Sequence, residues 1–259
     1  MAVIAKFAGV APTSIAKIQG TPDPKIYKIV TNQYPIVTPT SCAGWWRLDE
    51  GTGTSIADLM GNMAAGTCTD AWTTGKVRNA LTFDGSLGAG ASIPDPGTGS
   101  VLDFANGDSI TVCCWALIDD DTKTCMLAHK NGSAGGSPNW SLDVDGSRLN
   151  ITWYDTVASW QVYIQNSAGE YLAEATWYHL AITYTFGTGA SAKLYKNGVL
   201  VSGAWSYGTG NGTNPIISND VMSLGGRLDA AHPLYGDIDD VRVYRRILTV
   251  AELLKLAAA

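Results

Sequence analysis

The sequence predicts an all-β protein in which two antiparallel sheets pack face to face as a sandwich. Short alternating runs follow one another from residue 41 to residue 247, and clusters of Gly, Asn and Asp separate them. The 259 residues include 29 glycines, 9 tryptophans and 11 tyrosines, and only 15% are charged. Such a composition suits many short strands joined by tight turns, with little helix.

Eight runs have the alternation and β-branched or aromatic content of strands. They are Cys42–Leu48, Ala80–Phe83, Ser109–Ile118, Trp140–Val144, Leu149–Tyr154, Trp177–Tyr184, Ala192–Lys196 and Gly236–Tyr244. The steps Asp145-Gly146 and Asn197-Gly198 each lie between two such runs. Because these dipeptides favour the tight turns of hairpins, both are predicted hairpin connections.

One helix is predicted, over Thr249–Leu256. Thr249 is the N-cap, Glu252 stands at the third helical position, and leucines follow. This is the pattern of a capping box.

The first forty residues differ from the rest and predict a separate arm. Three units, 4–9, 15–20 and 26–30, begin eleven residues apart, and each pairs apolar residues with a lysine before Gly or Pro punctuation. A unit this small cannot bury its own apolar face, so it needs a neighbour. We therefore divide the chain into an extended N-terminal arm (1–40) and a globular domain (41–259). A disordered leader is the alternative for the arm.

Charge and hydropathy argue against nucleic acid and the membrane interior as partners. The formal net charge is -6, and the chain has no run of Lys or Arg that would neutralise phosphates. We therefore expect neither nucleic-acid binding nor insertion into a membrane, since no apolar stretch reaches the length of a span. Residues 1–30 lack the pattern of a signal peptide, and folding in a cytoplasm is expected.

The five cysteines predict buried thiols. Their number is odd, Cys113 and Cys114 point to opposite faces of a strand, and no Cys-x-x-Cys pair occurs. They are interpreted as small apolar side chains of a protein made under reducing conditions. A disulfide between Cys42 and Cys68 stays open as an alternative.

An acidic residue stands in an apolar position of the last run. Alternation puts Asp239 on the same face as Val241 and Val243. A carboxylate on an apolar face is costly unless it is paired or binds a metal. The alternatives are a metal ligand, a bond to backbone N–H groups, or a pair with Arg47 or Arg242.

In residues 43–256 the chain resembles the laminin-G-like (concanavalin A-like lectin/glucanase) jelly-roll domains. The matching pieces come in the order of that family. They are Trp46–Gly53, Asp58 with Gly61-Asn62, Gly75-Lys76, Asn79–Gly85, Asp108–Val112 with Trp115, Trp177–Ala181, Leu194–Gly198, and Gly236–Tyr244 followed by Leu248-Thr249. The resemblance implies a jelly-roll sandwich with a short C-terminal helix.

This resemblance also implies a structural calcium ion. In similar sandwiches, a carboxylate two residues before the Val of the last strand binds it, with main-chain oxygens near the Phe-x-Gly turn. Carried over, this predicts Asp239 as the side-chain ligand, with Gly85 and Asp49 contributing oxygens. Calcium takes six to eight hard oxygen ligands, many from the backbone.

We expect no enzymatic activity. Glucanases of this fold carry two acids on one strand face, as Glu-x-Asp-x-x-Glu or Glu-x-Asp-x-Glu, and the chain has neither motif. His129, His179 and His232 are scattered, and no Gly-x-Ser-x-Gly occurs. A hydrolase with atypical acids is the least favoured hypothesis.

Glycan binding is the favoured chemistry, because sugar rings stack on Trp and Tyr. Trp205 and Tyr207 are predicted in the loop Gly203–Asn214, and Trp160 in another loop. Since loops carry recognition in this architecture, these three are the candidate ligand contacts, although most aromatics of a sandwich are core.

Together these features predict a virion structural protein that displays a lectin-like domain: a bacteriophage decoration, fibre or tail-associated protein. The arm resembles Ile-Ala-Lys-Ile-x-Gly segments at the start of phage structural proteins, and it would bind sister subunits or other virion proteins in a homo-oligomer. Such a protein is made in the host cytoplasm and resides in the virion. The alternative is a secreted bacterial carbohydrate-binding module, located outside the cell.

Overall fold

The computed structural model describes residues 40–86, 90–97, 99–131, 137–227 and 231–258. The predicted arm therefore lies outside the described residues, except for Thr40. The strands are β1 (Cys42–Trp46), β2 (Ser55–Ile56), β3 (Gly66–Thr67), β4 (Ala71–Thr74), β5 (Asn79–Asp84), β6 (Ala91–Ile93), β7 (Ser109–Ile118), β8 (Thr124–Asn131), β9 (Pro138–Asp145), β10 (Arg148–Asp155), β11 (Ser159–Gln165), β12 (Trp177–Thr185), β13 (Thr188–Lys196), β14 (Val199–Val201), β15 (Gly203–Tyr207), β16 (Met222–Leu224) and β17 (Tyr235–Tyr244). A 3-10 turn covers Ala168–Glu170, and helix α1 covers Val250–Leu256.

The strands form two antiparallel sheets. The first sheet has the order β14-β13-β12-β7-β17-β5-β4, with β1 also paired to β17. The second sheet has the order β15-β11-β10-β9-β8-β16-β6-β3-β2. Neighbours distant in sequence, such as β7 with β17 and β6 with β16, require long crossovers between the sheets. These crossovers are typical of a jelly roll and confirm the predicted fold class.

The core lies between the sheets and is built by alternation. Along β9, the inward residues Trp140, Leu142 and Val144 are fully buried among apolar side chains of both sheets. Trp46 and Trp153 are equally inaccessible. This is the interdigitated interior expected of an aligned sandwich.

Both predicted hairpins are present. Asn197 and Gly198 adopt φ of 52° and 76° between β13 and β14. Gly146, with φ 61°, follows Asp145, which pairs with Arg148 across the β9–β10 hairpin. These residue types are the ones that tolerate positive φ.

The C-terminal helix begins with the predicted capping box. The Thr249 side chain accepts from the Glu252 N–H, and the Glu252 carboxylate accepts from the Thr249 N–H. Leu253 and Leu256 are buried with Tyr195 and Tyr244, which lie on the first sheet. Helix α1 thus covers part of the outer face of that sheet.

The cysteines are all buried free thiols. Cys114 belongs to the core between the sheets, whereas Cys113 lies in the cluster under α1. The prediction that these neighbours point to opposite faces is confirmed.

A buried lysine ties together loops at one end of the sandwich. The Lys130 Nζ lies 3.3 Å from Asp95 Oδ2 and 3.3 Å from Asp103 Oδ1, and its side chain is fully inaccessible. It also donates to the main-chain oxygens of Ser218 (2.9 Å) and Asp220 (2.7 Å). A buried ammonium needs such partners. Lys130 therefore holds the segment around Asp95 and Asp103 next to the segment around Ser218 and Asp220.

Candidate functional site

A β-bulge in β17 determines which face of the sheet its acidic residues point to. Asp239 pairs with Trp115, but Arg242 pairs with Cys113, so two residues of β17 face one of β7. Asp240 in the bulge has φ 50°. A bulge shifts the alternation by one residue.

The prediction that Asp239 shares a face with Val241 and Val243 is therefore wrong. Ile238 and both valines lie in the core between the sheets, although Ile238 precedes Asp239 directly. Asp239 consequently points to the outer face of the first sheet, where it is nevertheless fully buried.

The Asp239 carboxylate lies under the turn that precedes β5. The Val77 N–H donates to its Oδ2 at 2.7 Å, whereas Oδ1 has no hydrogen-bond partner within the described residues. A Cβ on Gly75 would lie 2.7 Å from Oδ2, so this turn needs glycine at 75. Burial, with smaller contributions from the carboxylates of Asp240 and Asp49, raises the pKa of Asp239 to about 8, against the opposing effect of the bond from Val77.

Asp49 contributes a second carboxylate near Asp239. Within the described residues, neither of its side-chain oxygens accepts a hydrogen bond. Arg47 and Arg78 form longer ion pairs with its Oδ2, at 3.5 Å and 3.7 Å. Its main-chain oxygen accepts from Asn79 Nδ2 at 2.9 Å.

Gly85 does not join this pair. It follows Asp84, which pairs with Tyr235, and a Cβ on Gly85 would lie 3.1 Å from the Tyr235 side chain. Tyr235 is four residues from Asp239 along β17, about 13 Å at about 3.3 Å per residue. Of the two further ligands predicted, Asp49 is therefore the one whose charge acts on Asp239.

The arrangement fits a hard cation through Asp239 and Asp49. The unpartnered, buried Oδ1 of Asp239 is the observation that favours one. No group of three or more His, Cys, Asp or Glu side chains in the described part of the chain is placed to hold a metal. Further ligands would therefore have to be main-chain oxygens.

The sequence offered backbone N–H groups, Arg47 or Arg242 as protein partners of Asp239, and the structure contains the backbone donor. The Val77 N–H binds its carboxylate. Arg242 forms an ion pair with Asp240, and Arg47 forms one with Asp49. His179 belongs to the same outer layer, and burial, with a smaller effect of Arg242, lowers its pKa to about 3.

The glycan candidates lie at one end of the second sheet, and the structure separates them. Trp160 lies in strand β11 and not in the predicted loop; it pairs with Tyr154 of β10, and their rings meet edge to face at 5.4 Å. Tyr207 pairs with Val162, two residues from Trp160 on the same outer face. Trp160 is 37% exposed and Tyr207 66%. We call Tyr154, Trp160 and Tyr207 the aromatic strip.

Trp205 points to the opposite face. Gly203–Tyr207 is strand β15, not the predicted loop, and a register shift lets Trp205 face Tyr163 while Tyr207 faces Val162. Its ring meets those of Tyr163 at 5.2 Å and Tyr184 at 5.9 Å, and its Nε1 donates to Gly189 O at 3.2 Å. Trp205 therefore packs against the core instead of joining the strip.

Next to the strip, the same outer face carries polar side chains that were not predicted from the sequence. We call them the polar row: His129, Ser141, Asp143, Asn150 and Thr152. The sequence pattern that could have predicted them is the alternation of polar with apolar residues along β9 and β10. Asn150 Oδ1 is buried without a partner within the described residues.

Asp143 is the centre of the polar row. Ser141 donates to Asp143, and the Ser141 Oγ lies 3.0 Å from His129 Nδ1. Burial raises the pKa of Asp143 to about 7, although hydrogen bonds from Ser141 and Thr152 oppose the shift. At neutral pH the row therefore holds a carboxyl group that is partly protonated.

This row lacks the geometry of a nucleophilic triad. In a triad the histidine stands between serine and acid, whereas here Ser141 stands between His129 and Asp143. All three side chains are almost wholly buried. Asp145, two residues along the strand, is held by Arg148 and by Thr124, each at 2.6 Å.

The two-sheet jelly roll is the fold of lectin-like domains. Residues 84–254 match Laminin_G_3, the concanavalin A-like lectin/glucanases superfamily. The match covers more than half of the chain, so the chain belongs to this family, as its sequence motifs predicted.

Among curated proteins, the chain is 25% identical over 141 residues to the mouse (Mus musculus) neuronal pentraxin receptor, covering 51% of this chain and 28% of that protein. The sandwich is similar to the binding domain of Paraclostridial Mosquitocidal Protein 1 (TM-score 0.64, 15% identity, 84% of this chain and 52% of that one). It is also similar to the botulinum neurotoxin serotype G binding domain (0.62, 14%, 84% and 50%) and to Trypanosoma rangeli sialidase (0.61, 18%, 88% and 35%).

The chain thus spans about half of the toxin domains and less than a third of the curated relative. At these identities the solved structures establish the fold. Within the described part of the chain, no helix has the length and apolar character needed to cross a bilayer.

Proposed function

We propose that this protein is a non-enzymatic lectin-like domain that binds glycans on the outer face of the second sheet. The observation that carries the proposal is the aromatic strip. Trp160 and Tyr207 expose large rings on one sheet face, whereas every side chain of the polar row is at most 7% exposed.

Glycan recognition would rest on these exposed rings. The apolar face of a sugar ring stacks on an aromatic side chain, and its hydroxyls bond to polar groups that fix its orientation. The toxin domains of the same fold are described as binding or receptor-binding domains, which supports a binding role for this fold.

The acids of the second sheet argue against hydrolysis. A glycosidase needs two carboxyl groups that reach the same bond. Asp143 is 1% exposed, and Asp145 is held by its ion pair with Arg148. The similarity to a sialidase, at 18% identity, is one of fold.

We further propose the setting of this domain to be a virion, where it would act as a decoration, fibre or tail-associated protein. The repeated units of the N-terminal arm support this, since they suit contacts with sister subunits. A secreted carbohydrate-binding module is the alternative. Light scattering of the full chain and of residues 41–259 separates them: an oligomer that becomes a monomer on truncation supports the virion proposal, and two monomers contradict assembly through the arm.

A structural calcium ion is part of the proposal. Asp239 and Asp49 would supply its carboxylate ligands, and Gly85 would not. Its charge would let the buried Asp239 ionise and would tie β17 to the loop before β2.

A glycan array followed by calorimetry tests the binding proposal. The wild type is compared with Trp160→Ala and Tyr207→Ala, and with Tyr235→Ala, a 50% exposed aromatic on the first sheet, as control. Each strip variant should weaken binding about tenfold, equivalent to about 1.4 kcal/mol, with the control unchanged. The proposal would be overturned by unchanged binding in a variant that carries both Trp160→Ala and Tyr207→Ala, or by a wild type that retains no glycan.

A further inference from the structure

Helix α1 leaves an apolar stripe uncovered. Val250 and Leu254, one turn apart on the same side of the helix, are 50% and 47% exposed. The opposite side of the helix, with Leu253 and Leu256, is buried on the first sheet. A helix this short normally exposes polar residues on its outer side.

The exposed stripe continues onto the open edge of the first sheet. A Cβ on Gly198 would lie 2.9 Å from the Leu254 Cα, so the β13–β14 turn touches the helix. Leu200 in β14 is 50% exposed and pairs with Tyr195, which lies in the cluster under α1. β14 is the last strand of its sheet, so one row of its backbone groups faces away from the sheet.

In the other direction, the stripe reaches the point where the described chain begins. Ile247, just before the helix, is 40% exposed. Its neighbour Arg246 donates from Nε to the Thr40 main-chain oxygen at 3.2 Å. We call Ile247, Val250, Leu254 and Leu200 the apolar patch.

We propose that the apolar patch is the docking surface for residues 26–30 of the same chain, Ile26-Tyr27-Lys28-Ile29-Val30. In an extended segment Tyr27 and Ile29 lie on one face, which would contact Leu200 and Leu254. The segment would add a strand to the free edge of β14, covering an edge that otherwise invites aggregation.

Chain length and position favour this occupant. The ten Cα–Cα steps from Val30 to Thr40 can span about 33 Å, whereas the four strand spacings from β17 to β14 measure about 19 Å. Because Thr40 is held at Arg246, next to the patch, the tethered segment is present there at a high effective concentration. The units at 4–9 and 15–20 would remain for contacts with other molecules.

Cysteine cross-linking in the full chain tests the contact. The pairs Ile29→Cys/Leu200→Cys and Tyr27→Cys/Leu254→Cys are treated with a short bis-maleimide, and linkage is read by mass. The control pair is Ile29→Cys/Val157→Cys, since Val157 is 80% exposed and lies on the second sheet. The five native cysteines are buried. We expect links within one chain in both patch pairs, at least tenfold above the control.

Linkage no greater than in the control overturns the proposal. Links between two chains overturn it too, in favour of a second copy as the occupant.

Hydrogen exchange provides a measurement that does not depend on register. In Tyr27→Asp/Ile29→Asp, amides of β14 should exchange at least tenfold faster than in the wild type. Exchange in β9 and β10 should stay unchanged, showing that the sandwich is intact. Unchanged exchange in β14 contradicts docking.

Discussion

Arg242 binds Asp240, two residues earlier on the same strand, through two hydrogen bonds. Its Nε donates to Oδ1 at 3.0 Å and its Nη2 to Oδ2 at 2.8 Å, and both side chains are buried. Trp45 completes the unit, since its Nε1 donates to Asp240 at 2.6 Å and its ring lies 4.0 Å from the guanidinium. Because Asp240 is the bulge residue with φ 50°, this ion pair holds the bulge that turns Asp239 away from the core.

Replacing Arg242 by Met should destabilise the protein by about 3–5 kcal/mol, because the Asp240 charge is left buried and uncompensated. Asp240→Asn/Arg242→Met should recover part of this loss. Urea denaturation measures the free energies of unfolding. Arg148→Met is the matched control, since its ion pair with Asp145 is exposed and worth at most about 1 kcal/mol. Equal losses for the two Arg variants would contradict the role of the buried pair.

Calcium should raise the melting temperature of the wild type relative to EDTA, because ion binding stabilises the folded state. Asp239→Asn should abolish this difference, whereas Asp237→Asn, on the same strand, should retain it. The effect should be larger at pH 8 than at pH 6, since the ion must displace the proton of a carboxyl whose pKa is about 8. A wild-type melt that is the same in calcium and EDTA excludes the calcium proposal.

In EDTA, the free energy of unfolding of the wild type should fall relative to that of Asp239→Asn as the pH rises from 4 to 8. Burial raises the pKa of Asp239 from 3.8 to about 8, so the folded chain keeps a proton that the unfolded chain releases. The stability from this group is complete below pH 4 and is lost as the pH rises through 8. Asp143, with a pKa of about 7, titrates in both proteins and cancels. A flat or rising difference would show that the carboxyl is not buried as a neutral acid.

Trp205→Ala should cost about 3 kcal/mol, because the indole packs against Tyr163 and Tyr184. Trp160→Ala should cost less than about 1 kcal/mol, since this ring lies on an outer face. Chemical denaturation of both variants gives the comparison. The reverse order would place Trp205, not Trp160, at the surface.

Much of the sandwich could be predicted because alternation and turn chemistry are local. The Asn197-Gly198 turn and the Thr249 cap each act within a few residues, and the structure contains both. The long crossovers needed the ordered set of family motifs, since no local signal reports which distant strands pair.

It was harder to predict which face of a sheet a given side chain points to, because two bulges change the alternation. The shift at Asp240 moves Asp239 to the outer face, and the shift in β15 separates Trp205 from Tyr207. Each depends on pairing with a neighbouring strand, which spacing along one strand does not contain. Gly85 was misplaced for a related reason, because only the β5–β17 register shows its distance from Asp239.

The hydrogen bond between Arg246 and Thr40 places the start of the described chain beside the segment that leads into helix α1, on the first sheet. The aromatic strip lies on the outward face of the other sheet. A larger assembly joined to this domain through residue 40 would therefore leave Trp160 and Tyr207 unobstructed. The same geometry makes it a scaffold on which strip residues can be randomised while the point of attachment stays unchanged.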